Sequence, residues 1–186
     1  MKRFAKIMVF ALVLLCLTSC RTLRVRMGDN SYFHLLPPSA IDGPMDSYQL
    51  ITGSFPGYEN VAMEAWFTCD DNNLQLMMFA PAGQTMGRIL YDGKDISFES
   101  SFLPDYRIIG MYIVADLQLC FATTEAIETE LAKGNLVMIE TEKEGAVTNR
   151  RILENESLLY DIEYDSCTIV VTSHLQKYSY TIEILQ

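Results

Sequence analysis

From Tyr48 to the C-terminus the chain repeats one pattern: a short run of alternating apolar and polar residues, then a polar or glycine-bearing break. Val61-Ala62-Met63-Glu64-Ala65-Trp66-Phe67 alternates, Asp70-Asp71-Asn72-Asn73 supplies a turn, and Leu74 to Phe79 returns. Ala80-Pro81-Ala82-Gly83 then breaks the pairing, Thr85 to Tyr91 resumes it, and Asp92-Gly93 turns the chain into Asp95-Ile96-Ser97-Phe98-Glu99. The same style recurs in Leu136–Thr141, Ala146–Leu153, Ser157–Tyr164, Thr168–Thr172 and Tyr178–Leu185, with turns at Lys143-Glu144-Gly145, Glu154-Asn155-Glu156 and Asp165-Ser166. A period of two sends neighbouring side chains to opposite faces, the mark of a half-buried strand. Connections this short join only antiparallel neighbours. The pattern therefore predicts antiparallel sheet and excludes a helical bundle or a parallel α/β fold. Nothing repeats at a fixed longer period, which excludes solenoids and propellers.

One stretch has a different texture. Between Tyr106 and Lys133, Ile109, Ile113, Leu117, Cys120 and Phe121 fall three or four apart, on one face of a helix. Met111, Ile113 and Ala115 also alternate with Tyr112 and Val114, so this first segment reads either as helix or as buried strand. Thr123 or Thr124 then precedes Glu125 to Lys133, with acids early, a cation late and Gly134 just past the end, which predicts a second helix. Strands on both sides of a helical insertion at about 106–133 supply the parts of a sheet covered by helices.

The first residues are of another kind. Lys2, Arg3 and Lys6 precede an apolar run from Ile7 to Leu17 that is too short to span a bilayer, and Leu17-Thr18-Ser19-Cys20 closes it. This order predicts a lipoprotein signal over 1–19, with Cys20 as the acylated N-terminus of the mature chain and the membrane as its first partner. Residues 20–43, with Arg21, Arg24, Arg26 and Leu36-Pro37-Pro38, read as a lipid-anchored tether, and 44–186 as a single β-rich domain. Losing Lys2, Arg3 and Lys6 takes the net charge from −10 to −13, which disfavours nucleic acid as a partner. Beyond Cys20 only Cys69, Cys120 and Cys167 remain; each has apolar neighbours, so all three are expected as buried thiols rather than metal ligands.

Catalytic signatures are missing. His34 lies in the tether and His174 in a polar turn-like stretch, neither with the company of a catalytic base, and no nucleophile elbow, zinc helix or phosphate loop occurs. Asp70 and Asp71 suit a hairpin turn better than a calcium loop. Arg88, within an apolar strand, either faces solvent or pairs with Asp116 or a lipid headgroup, and Trp66 serves either packing or a ligand mouth. No cofactor or metal is implied, and an enzyme is not expected.

Leu36-Pro37-Pro38, Pro81-Ala82-Gly83-Gln84-Thr85-Met86-Gly87-Arg88, Tyr91-Asp92-Gly93 and Ala115-Asp116-Leu117-Gln118-Leu119, taken in order with the lipobox, carry a resemblance. The chain resembles an uncharacterised family of bacterial lipoproteins, often encoded beside aryl-polyene biosynthesis genes, and distantly the outer-membrane lipoprotein receptor of the Lol pathway. The resemblance implies a curved antiparallel half-barrel with one or two helices over its open side, enclosing an apolar cavity at the periplasmic face of the outer membrane. Inward strand faces from the residue pattern are Val61, Met63, Ala65 and Phe67; Leu74, Leu76 and Met78; Leu158, Tyr160 and Ile162; and Tyr178, Tyr180, Ile182 and Ile184. The cavity-lining candidates among them are Val61, Met63, Phe67, Leu76, Met78, Tyr160, Ile162, Tyr180 and Ile182. The same faces describe a filled core equally well, although eight methionines after Cys20 suit an adaptable interior. Two functions follow: a monomeric envelope lipoprotein that binds or transfers a lipid, acylated or polyene ligand without catalysis, or an envelope scaffold with a solid core.

Overall fold

The computed structural model describes residues 23–101 and 107–185. A small hairpin, β1 (Arg24–Arg26) and β2 (Tyr32–His34), and a short 3-10 turn (Pro38–Ala40) precede the main sheet. Five strands follow: β3 (Met45–Phe55), β4 (Tyr58–Cys69), β5 (Leu74–Phe79), β6 (Thr85–Tyr91) and β7 (Ile96–Ser100). Two helices come next, α1 (Arg107–Phe121) and α2 (Thr124–Ala132). The chain closes with β8 (Leu136–Lys143), β9 (Ala146–Glu154), β10 (Ser157–Asp165), β11 (Thr168–Ser173) and β12 (Tyr178–Leu185).

All ten long strands belong to one curved, unclosed antiparallel sheet in the order β7-β6-β5-β4-β3-β12-β11-β10-β9-β8. Each half is a meander, and the halves meet where β3 pairs with β12, at Ile51 opposite Ile182 and Gly53 opposite Tyr180. This order dictates where the helices go. The chain leaves the first meander at one edge, β7, and re-enters at the opposite edge, β8, so the segment between must cross the sheet. It does so over the buried face, α1 packing on β7 and β1, α2 on β8 and β2.

Local signals explain the elements. Glu144-Gly145 and Asn155-Glu156 both have positive φ at two successive residues, the geometry of two-residue hairpin turns that match strand twist. Asp70 turns its hairpin by accepting from the backbone N–H groups of Asn72 and Asn73 at 2.8 Å each, so the turn reading of that acidic cluster holds. Thr123 caps α2 by accepting from the N–H of Ala126 at 3.4 Å. The ambiguous first segment is helix, and its second half, Val114 to Cys120, is buried all round because the N-terminal segment as well as the sheet packs against it. That is why the pattern also passed for a buried strand.

Four expectations are corrected. The tether assigned to 20–43 is part of the fold from Leu23 onward, with Val25, Met27, Phe33, Leu35, Leu36 and Ile41 all buried. Gln118 holds this segment like a neighbouring strand, accepting from the Leu36 N–H at 2.9 Å and donating to its carbonyl at 2.5 Å. Glu154 accepts from Ser31 Oγ and from the Asp29 N–H. Prolines 37 and 38 thus end a buried segment rather than stiffen a free one. Second, His34 is accompanied: its Nδ1 lies 2.6 Å from the buried Glu130 carboxylate, fastening β2 to α2. Third, a bulge between Leu158 and Tyr160 leaves Leu158 half-buried and turns Leu159 inward. Fourth, Cys167 is exposed at the tip of the β10–β11 turn, whereas Cys69 and Cys120 are buried.

A buried ion pair completes the frame. Arg150 Nε donates to Glu140 at 2.7 Å, and its Nη1 reaches the carbonyls of Leu119 and Ala122 at 2.9 and 3.1 Å. A cation at the C-terminal end of α1 meets the negative end of the helix dipole and satisfies carbonyls that have no partner within the helix.

Candidate functional site: an apolar cavity under the first helix

Phe67 and Phe121 stack at 5.4 Å, so the C-terminal end of α1 closes onto the sheet. Toward its N-terminal end a cavity of about 470 Å³ separates helix and strands. Pockets that take small apolar ligands commonly measure about 300–1,000 Å³, whereas filled interiors hold few voids larger than a water. The helix contributes Ile109, Tyr112, Ile113, Asp116 and Leu117, whose spacing places them on a single face. Opposite stand Ile51 and Phe55 of β3, Val61 and Met63 of β4, Leu76 and Met78 of β5, and Tyr178, Tyr180 and Ile182 of β12. These four strands are adjacent at the middle of the sheet. Met63, Met78 and Ile182 are buried, whereas Pro56 and Tyr58 in and after the β3–β4 turn are exposed, so the cavity opens between that turn and the start of α1.

One lining group is out of character. Asp116 is only 5 % exposed, and none of the ion pairs among the described residues involves it. Its carboxylate is held by hydroxyls. Tyr178 donates to Oδ1 and Oδ2 at 2.9 and 2.7 Å, Tyr180 donates to Oδ2 at 3.1 Å, and the Tyr160 hydroxyl stands 3.2 Å behind that of Tyr178. Burial pushes the Asp116 carboxyl up to about 7, and the tyrosine hydrogen bonds pull it part of the way back. Burial, then the neighbouring carboxylate, holds the Tyr178 and Tyr180 hydroxyls far above the usual phenol range, so they are donors. Backbone shape makes the contact. A Cβ at Gly53 would collide with Tyr180 Cβ and the Ser179 carbonyl, so glycine lets β12 approach β3 closely where the Tyr180 ring stacks on Phe55 at 5.5 Å.

Of the nine residues expected to line a cavity, Val61, Met63, Leu76, Met78, Tyr180 and Ile182 do so. Phe67, Tyr160 and Ile162 are fully buried but lie outside it. Phe67 is covered by Phe121, and Ile162 belongs to β10, on the filled side of the sheet. Tyr160 supports the aspartate cluster instead. Sequence reasoning missed Ile51 and the helix face, and above all missed Asp116 as a lining residue. The signal was present: a carboxylate at the seventh position after Ile109, in an otherwise apolar stripe. Arg88, considered as its partner, is exposed and donates to Gln75 Oε1 at 2.8 Å. Trp66 is 42 % exposed and donates to Asp46 at 2.6 Å, away from the cavity. Cys20 and the signal segment lie outside the described residues.

Residues 46–186 match the model of the family described as Protein of unknown function (DUF3261), and the chain belongs to that family. No curated protein matches the sequence. Among solved structures, a LolA superfamily protein from Nitrosomonas europaea is similar at a TM-score of 0.45 and 8 % identity, over 77 % of this chain and 84 % of that one. A likeness that low transfers no role to any residue.

Proposed function

We propose that this protein is an envelope lipoprotein, anchored through acylated Cys20 at the periplasmic face of the outer membrane, that takes a lipid or other long apolar chain into the cavity under α1 and passes it on without catalysis. The cavity carries the reading. Its walls are almost wholly hydrocarbon, and chain burial there is driven by ordinary transfer from water, about 25 cal/mol per Å². Methionines 63 and 78 give two walls that repack around different chains. Covalent length adds a second support. The Arg26 carbonyl accepts from Tyr112 Oη and from Gln176 Nε2, both at 3.1 Å, and both residues line the cavity. Six residues of chain reach at most roughly 20 Å, so an anchor on Cys20 would keep the cavity close to the bilayer. Native mass spectrometry of the mature protein extracted from membranes tests this: co-purifying lipid is the expected result, and protein consistently free of lipid, with no uptake of an apolar dye, would refute it.

A specific observation favours the scaffold as the second reading. Edge strand β8 exposes Val137 and Ile139, at 60 % and 51 %, and among the described residues no strand pairs with its outer edge, where another chain's strand could add. Charging both residues would abolish such an association while leaving dye uptake unchanged.

A further inference from the structure

Asp116 is the one feature of the cavity that the binding of a plain hydrocarbon does not explain. An apolar wall would be cheaper to build with leucine at this position, because a buried carboxylate without a cation is held only at a cost. The helix turns it into the cavity between Ile113 and Leu117, and its neighbours define what it has left to offer. Facing it are Tyr178 and Tyr180 from β12, Tyr160 behind Tyr178, and on its own helix Tyr112 one turn before and Cys120 one turn after. None of these is cationic, and among the described residues that line the cavity there is no lysine or arginine. An ionised carboxylate offers about four acceptor positions. Tyr178 and Tyr180 serve it directly, Tyr178's hydrogen shared between both oxygens, and the Tyr160 hydroxyl is close enough to act as a third donor at most. Acceptor capacity remains on the only charged group among the described residues that line the cavity.

We propose that Asp116, positioned by Tyr178 and Tyr180, is the head-group anchor of this cavity and selects long-chain amphiphiles whose polar end donates a hydrogen bond and carries no negative charge, an amine or an alcohol, over fatty carboxylates. The inference rests on the lipid-binding reading above and sharpens it. An ammonium or hydroxyl at the chain end supplies the donor that the protein does not. A carboxylate end instead sets two like charges together in a low-dielectric pocket, where repulsion is weakly screened.

The experiment is displacement of the apolar dye phenylnaphthylamine from the mature protein at about pH 8, where Asp116 is ionised. The competitors share a twelve-carbon chain: dodecylamine, dodecanol, methyl dodecanoate, which lacks a donor, and dodecanoate. The amine and alcohol are expected to displace dye at concentrations about tenfold below the methyl ester, with dodecanoate weakest, because a hydrogen bond to a charged group typically changes affinity by about that factor. In Asp116→Asn the gap between amine and carboxylate should shrink to about threefold or less. Equal displacement by all four in the wild-type protein would overturn the anchor and leave the cavity reading standing; unchanged selectivity in a folded Asp116→Asn protein would do the same. Failure of the dye to bind at all would remove the lipid reading and this inference together. The wild-type ranking needs no variant, so it decides the matter even where the substitution disturbs folding.

Discussion

Two regions of one sheet are covered by one helical segment and end up opposite in character. Beneath β8–β11 the interior is closed, with Ile152, Ile162 and Val171 at 0 % exposure, and α2, which packs on β8, buries Ile127 and Leu131 in the same core. Beneath β3–β5 and β12 the first turns of α1 stand off the strands and leave a cavity. Each region also buries one charge next to α1. Arg150 has Glu140 and a set of helix carbonyls, so its charge is neutralised and its donors are used. Asp116 has hydroxyls only. The contrast teaches that strand pattern does not distinguish the two, since both faces are apolar at every second residue. The covering side chain decides the outcome even along one strand: at one end of β4 Phe121 reaches Phe67, whereas farther along Ile109 and Ile113 do not fill the space to Met63 and Met78.

The largest effect is expected from Arg150→Met. It leaves Glu140 and several carbonyls buried without a partner, which typically costs about 3–5 kcal/mol, and chemical denaturation should show a loss of that order. A loss below about 1 kcal/mol would mean that the closed region is wetter than its burial indicates.

Acidity should act on the hollow region in the opposite sense to ordinary acid denaturation. Because the folded protein holds the Asp116 proton up to about 7 while the unfolded chain releases it near 3.8, the contribution of this group to stability is greatest below about 3.8. It declines as pH rises to about 7 and is level above. The change is on the order of a few kcal/mol. Asp116→Asn should flatten this slope between about pH 4 and 7 in denaturation titrations, and a variant with the wild-type slope would contradict the buried, uncompensated carboxylate.

Truncation should also separate the regions. Ile162→Ala removes contacts on all sides and should cost about 3 kcal/mol, within the usual range for closed cores. Met63→Ala removes a side chain already facing a void, where part of the packing energy is absent, and should cost about half as much. Equal costs in thermal or denaturant melts would show that the cavity collapses in solution. The smallest effect is the most informative: Ile113→Phe should fill part of the void, raise stability by about 0.5–1 kcal/mol and weaken dye binding together. A gain in stability with undiminished binding would place the dye elsewhere.

Much of this is legible in the sequence. Alternation marked Val61 to Phe67 and Leu74 to Phe79 as a hairpin, and turn residues such as Glu144-Gly145 marked the others, because these are local preferences that each segment carries with it. The second helix was marked by its cap and the glycine after it. The N-terminal segment was not legible: Pro37 and Pro38 and three arginines look like linker, and only docking of Leu35, Leu36 and Ile41 against α1 and the sheet makes them core. The cavity was half legible. Six lining residues followed from the period of two, but whether a strand face meets a ring or a gap depends on a residue dozens of positions away, as Phe67 does on Phe121.

By itself the sequence determined nine of the ten long strands, their antiparallel connections, the helical insertion and most of the inward faces, since period, turns and caps act between residues close along the chain; the central strand Met45–Phe55 it did not mark. Only the tertiary structure decided that β3 pairs with β12, that the helices therefore bridge opposite edges of the sheet, and that α1 touches the strands at one end and leaves them at the other. The role of Asp116 belongs to that second class. A carboxylate in an apolar stripe is an anomaly in the sequence; it becomes a site when β12, brought alongside β3 at Gly53, sets two tyrosine hydroxyls against it at the wall of the cavity.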